Sequence, residues 1–384
     1  MKNFTKFTAV ILVCIIALST AACSLTPQWS YKTDDKELAI GVYIYALYSA
    51  YQQAQSFAQE TEGYDSEAGT YNGDESFLKV EITDDDGVTA TADQWITTEA
   101  DKTVRTLLAV EQEFKRLGAT IDEATVQNYE ASAKEYWDYG PYYSMYGEQY
   151  LSPYADIFEP LGVSYESFEY FYTASAKQQA VFDALYAVDG EKAVTDKELT
   201  KYFEDNYTSY TYFNSNLYEN VEEELEDGTT QSSSVAFSDA EIAEFESEYQ
   251  GYVDSVNAGT DVADVIDQFM AKNSLESDPS TSGVEIMSES TIGDDLVKII
   301  EKLDDNKAQY EIIGEGDSQS IYFLYKEAIA KQTKNYIGDE TNRSSVLQSY
   351  KSAEFEEYID EIATSLEISV NSAVKKYTPA MFED

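Results

Sequence analysis

Between residues 161 and 210 the apolar positions fall into two helical rhythms separated by a glycine. Phe168, Phe171, Tyr172 and Ser175 recur at i, i+3, i+4 and i+7, the spacing of one helix face. Val181, Phe182, Leu185 and Tyr186 continue that face. Ser164 stands where an N-cap belongs, with Ser167 a second candidate. Gly190 punctuates the helix. Thr195 opens another, and Glu198 three residues later completes a capping box. Leu199, Tyr202, Phe203 and Tyr207 form its apolar stripe.

Upstream, Asp34 or Asp35 is placed to cap a helix over 36–59, with Leu38, Val42, Tyr45, Ala46 and Tyr48 turned inward. Residues 61–76, rich in glycine and acids, read as a surface loop. Short apolar runs at 77–82 and 88–90 flank Asp84-Asp-Asp-Gly87 and predict a hairpin. That acidic run lacks the alternating ligands and distant Glu of a calcium loop. Thr91 and Asp93 open a helix that runs to Leu117 and closes on Gly118. Asp122 caps the next, over 123–137.

Downstream, 210–218 reads as a strand and 219–234 as an acidic, solvated insertion. Ser238 caps a helix through Val256, a turn at Gly259 leads to a helix over 262–272, and 274–291 reads as loop. A third helix runs from Asp294 or Asp295 to Leu303. Residues 310–313 and 320–330, around Gly314 and Gly316, predict a closing hairpin. A helix over 342–366 and an extended 368–371 end the pattern. The fold class is α+β, mainly α.

Residues 136–158 break both rhythms. They hold Tyr136, Trp137, Tyr139, Tyr142, Tyr143, Met145, Tyr146, Tyr150 and Tyr154 among Gly140, Pro141, Gly147 and Pro153. Any single tyrosine here reads first as packing. A few exposed ones suffice for a surface that holds varied peptides, because tyrosine offers a large amphipathic face at low entropic cost. The candidate polypeptide-binding residues are Trp137, Tyr139, Tyr142, Tyr143, Met145, Tyr146 and Tyr150.

With 384 residues, 43% hydrophobic, the chain has room for two domains and a core. The formal net charge of −48 argues against nucleic acid, whose phosphates need Lys and Arg, and against a body lying on anionic lipid. The N-terminus reads as a targeting segment: Lys2 and Lys6 precede an apolar run, 9–18, too short to span a bilayer. Leu18-Ser-Thr-Ala-Ala-Cys23 resembles a bacterial lipobox, with Thr20 where the motif usually has Leu. The resemblance implies a signal peptide over 1–22, a lipidated Cys23, a tether over 23–33 and an extracytoplasmic, membrane-anchored protein. Cys14 would leave with the signal, so no disulfide or cysteine nucleophile is expected.

The order of Leu161-Gly-Val163, a long helix, Val194-Thr-Asp-Lys-Glu-Leu199 with Tyr202-Phe203, and an extended segment resembles the helical chaperone domain of the SurA/PrsA class of extracytoplasmic foldases. Leu117-Gly118 followed by Asp122-Glu123 is similar to the same family. Val256-Asn-Ala-Gly259 through Ile266 is similar to a parvulin signature, and Glu354-Phe-Glu-Glu-Tyr358 with Ile368-Ser-Val370-Asn371 resembles the family's C-terminal return. The resemblance implies a helical chaperone domain built from 34–207 and 333–384, with a small parvulin-like α/β domain, 208–332, inserted in it. It implies unfolded or secreted polypeptides as partners.

The chain has no histidine. Ser-His-Asp and Cys-His catalysis, His-ligated zinc and imidazole bases are excluded. Active parvulins carry paired histidines. By the resemblance these would fall near 214–216 and near Tyr322, positions that are not histidine here. The Met and Phe of such a pocket are loosely echoed by Phe269, Met270 and Met287. The isomerase is therefore expected to be inactive or very weak. Ser372-Ala-Val-Lys375 fits Ser-x-x-Lys but has no partner motif, and no Gly-rich phosphate loop occurs. No cofactor or metal is expected. Three functions remain open: an ATP-independent chaperone, a binding module for a peptide, glycan or envelope partner, and a weak prolyl isomerase.

Overall fold

In the computed structural model the described residues are 29–61, 63–65, 70–71, 75–224 and 230–383. The chain divides into two compact units, residues up to Ala193 together with Ala353–Asp384, and Val194–Ser352. Cys23, residues 1–22 and the first part of the expected tether lie outside the described residues.

The first unit is built around a helix that buries most of its circumference. α1 (Ile40–Gln59) packs Val42, Ile44, Ala46, Leu47, Ala50 and Ala54 into the core, as a helix apolar on nearly every side must. It starts four residues later than its acids suggest. Asp34 and Asp35 lie in the turn between β1 (Trp29–Lys32) and β2 (Glu37–Ala39), whose Thr33 amide donates to the Lys36 carbonyl at 2.9 Å. The expected tether thus includes a strand. The strand Ser369–Val370 pairs antiparallel with β1, setting Tyr31 opposite Val370. Phe382, near the C-terminus, meets Tyr48 and Tyr51 of α1 edge-on at 5.5 and 5.3 Å.

β3 (Glu81–Thr83) and β4 (Thr89–Thr91) make the expected hairpin, entered through a 3-10 turn at Phe77–Lys79 rather than a strand. α2 (Ala92–Leu117) buries Trp95, Ile96, Ala100, Val104 and Leu108 and stops at Gly118, which takes the left-handed φ of 62°. α3 (Glu123–Tyr139) starts where Asp122 accepts the Thr125 amide at 3.0 Å. α4 (Tyr165–Tyr186) is capped by Ser164; Ser167, the other candidate, is buried instead. A Cβ on Gly41 would lie 2.6 Å from the Ser167 hydroxyl, so glycine lets α1 and α4 approach closely.

The second unit holds a four-stranded antiparallel sheet. α5 (Asp196–Asn206) leads in, with the Thr195–Glu198 capping box formed. β5 (Thr208–Asn216) follows, then a hairpin of β6 (Tyr218–Glu224) and β7 (Thr230–Ala236) where the sequence reads as a loose insertion. Helices α6 (Asp239–Asn257) and α7 (Val262–Asn273) start on Ser238 and Asp261. β8 (Thr281–Glu285) lies inside the stretch that reads as loop. α8 (Asp294–Lys302), β9 (Lys307–Ile313) and β10 (Ser320–Glu327) complete the unit's α/β part. The strand order is β8-β5-β10-β9. Phe213, Ile321 and Phe323 face α6 and α7, while Tyr210 and Leu324 face α8, as the two-residue period requires. The unit is wider than 208–332 at both ends, taking in α5 and residues 333–352. The fold is mainly helical with small sheets.

Candidate functional site

The tyrosine-rich stretch is an ordered excursion from the end of α3. At its base Trp137 is 4% exposed, with its ring 5.5 Å from Phe168 and 5.9 Å from Tyr165. Trp137 is therefore core and is removed from the candidate binding residues. Tyr136 and Tyr154, on the two sides of the excursion, meet edge-on at 6.2 Å. Gly140, with φ of 87°, brings the backbone so close to Ser152 that a Cβ would sit 2.2 Å from its carbonyl oxygen. The Ser152 amide donates to the Tyr139 carbonyl at 3.0 Å.

Within the excursion the rings pack on one another in pairs, one stacked and two tilted. Tyr139 lies against Tyr143 at 4.7 Å and 21°, Tyr142 against Tyr146 at 6.5 Å, and Tyr146 against Tyr150 at 4.9 Å. Tyr142 is 58%, Tyr146 51% and Met145 70% exposed, and Tyr139, Tyr150 and Leu151 are exposed too. Tyr143 is half-buried. Six of the seven candidate residues thus lie in this excursion, five of them exposed, and Leu151, which sequence reasoning missed, is exposed there too. Its apolar neighbours Met145 and Tyr150 were the available signal.

The second unit carries another tyrosine face. Tyr322 pairs with Asn214 across β10 and β5, and its ring lies 6.2 Å from Tyr212, itself 6.2 Å from Tyr210. The Tyr210 hydroxyl donates to Glu285, whose carboxylate also accepts from Ser290 at 2.9 Å. Burial, then the Glu285 bond, pushes the Tyr210 phenol well above its ordinary range, so it holds its proton at neutral pH. Phe269 and Met270 pack with α6 and α7 on one side of the sheet, while Met287 packs with α8 on the other. The three residues that loosely echo an isomerase pocket do not converge.

The remaining motifs have structural explanations. Asp84 accepts from the Val88 amide at 2.7 Å and from the Trp95 indole at 2.8 Å, and these bonds hold its carboxyl below the usual range. Among the described residues no group of three His, Cys, Asp or Glu is placed to hold a metal. Ser372 and Lys375 are both exposed on a 3-10 turn.

No protein-family model matches this chain, and no curated protein matches it. Among solved structures, the crystal structure of foldase protein PrsA from Streptococcus pneumoniae str. Canada MDR_19A aligns at 14% identity. The alignment covers 79% of this chain and 99% of that one, with a TM-score of 0.32. At that identity and score it assigns no family. Among the described residues no helix is long and apolar enough to cross a membrane.

Proposed function

We propose that this protein is a lipid-anchored, extracytoplasmic, foldase-like chaperone that holds unfolded or exported polypeptides without ATP. The observation that carries this reading is the exposed ring ladder of Tyr142, Tyr146 and Tyr150, with the exposed Tyr139, Met145 and Leu151 in the same excursion, clamped at Gly140 and Ser152. Exposed apolar surface of this kind is unusual on a soluble protein unless something binds it. Rings fixed in advance lose little entropy on binding, and tyrosine tolerates varied partners. Residues 208–332 are read as a degenerate parvulin-like domain. The antiparallel sheet with α6 and α7 on one face and α8 on the other supports that reading. The absence of histidine supports loss of isomerase activity. The anchor is read from the resemblance to a lipobox at Cys23.

The test is an aggregation assay. The purified protein should delay aggregation of several unrelated unfolded substrates at near-stoichiometric amounts. Saturable binding of one defined ligand with no effect on any unfolded substrate would instead favour the specific binding module.

A further inference from the structure

The tyrosine ladder lies in a stretch of the chain without a positive charge. From Glu135 to Ala176 there is no Lys or Arg, and seven carboxylates: Glu135, Asp138, Glu148, Asp156, Glu159, Glu166 and Glu169. The flanking cations are already engaged. Lys134 bonds Asp138 at 2.5 Å and lies over the Tyr165 ring at 5.4 Å, and Lys177 pairs with Glu111.

Elsewhere this chain seats its own lysines on tyrosine rings. Lys36 sits 4.5 Å from the Tyr170 centroid, Lys192 4.9 Å from Tyr358, and Lys351 4.4 Å from Tyr350. Among the described residues, the cation–ring contacts fall away from Tyr139, Tyr142, Tyr146 and Tyr150. These exposed rings carry none of those cations, and Glu148 and Asp156 are exposed beside them in sequence.

We propose that the ladder selects unfolded segments in which Lys or Arg alternates with apolar residues. This deepens the chaperone reading and rests on it. A lysine or arginine stem lies along ring surface while its charged head meets ring faces and carboxylates. An acidic segment meets only like charge. The formal net charge of −48 extends the same discrimination beyond contact range and raises the encounter rate of basic chains.

The test uses the full chain and three unstructured peptides, identical except that their charged positions are Arg, Gln or Glu. Calorimetry should rank them Arg, Gln, Glu. Two or three exposed cation–ring contacts correspond to roughly tenfold between the first two. Added salt should shrink that gap. Replacing Tyr142, Tyr146 and Tyr150 together by Leu should leave the Gln peptide bound and abolish the preference for Arg. If circular dichroism shows the triple variant misfolded, Tyr146→Leu alone should cut the preference about threefold. Equal affinity for the Arg and Gln peptides, or a preference that survives the Leu variants, overturns the inference and leaves the chaperone reading standing. Failure of all three peptides to bind overturns both.

Discussion

The amide of Ser152 donates to the carbonyl of Tyr139 at 3.0 Å, so the excursion between them leaves and rejoins the helical body through one closed neck. Gly140 makes the neck possible. Gly140→Ala adds a Cβ 2.2 Å from the Ser152 oxygen at a φ of 87°, and should cost about 1–3 kcal/mol locally. Gly147→Ala, with a φ of 76° and no atom near its added Cβ, should cost only about 1 kcal/mol. Hydrogen exchange at the Ser152 amide reads the difference: it should speed up strongly in the first variant and little in the second.

Burial separates Trp137 from the tyrosines beyond it. Trp137→Ala should destabilise the first unit by about 3–5 kcal/mol, because a 4% exposed indole leaves a cavity against Tyr165 and Phe168. Tyr146→Ala, at 51% exposure, should change stability by no more than about 0.5 kcal/mol. Urea denaturation followed by circular dichroism measures both.

Glu111 should make the first unit acid-sensitive. Burial pushes its carboxyl up, but the hydrogen bond and charge of Lys177 and the charge of Lys36 outweigh it and hold the group below the usual range. A depressed carboxyl contributes stability that is complete above its unfolded value and is lost as pH falls through its folded value. Glu111→Gln should therefore cost about 1–2 kcal/mol near neutral pH. The wild-type advantage should fade as pH drops below about 4. Denaturation of both proteins across pH 2–7 checks the sign, and an advantage that grows on acidification would contradict it.

Local signals were readable in the chain, and distant partnerships were not. Ser164, Asp122, the Thr195–Glu198 box and Gly118 mark their helix ends because a cap is a contact within a few residues. β8 was invisible because Thr281–Glu285 shows no alternation; its partner, Thr208–Tyr212, lies about seventy residues earlier. The hairpin β6–β7 hides in Glu- and Ser-rich composition, since its ladder is made by backbone. Asp34 and Asp35 look like caps but serve a turn, and only the pairing of β1 with β2 tells them apart. Of the candidate binding face, the cluster of rings was legible. Which ring points inward was not, because Trp137 and Tyr139 differ in environment, not in pattern.

The proposed anchor has its own test. Cys23→Ala should move the protein from the membrane fraction to the soluble extracytoplasmic fraction and abolish incorporation of a labelled fatty acid. Unchanged fractionation and labelling would remove the lipid from the account.

The most direct measurement is the affinity of one unfolded, non-refolding polypeptide for the wild-type protein and for a variant with Tyr142, Tyr146 and Tyr150 all changed to Ser. The account predicts retained folding and at least a tenfold loss of affinity in the variant, because in the proposed reading the exposed rings supply most of the contact. Equal affinity in two equally folded proteins would place binding elsewhere and contradict the central claim.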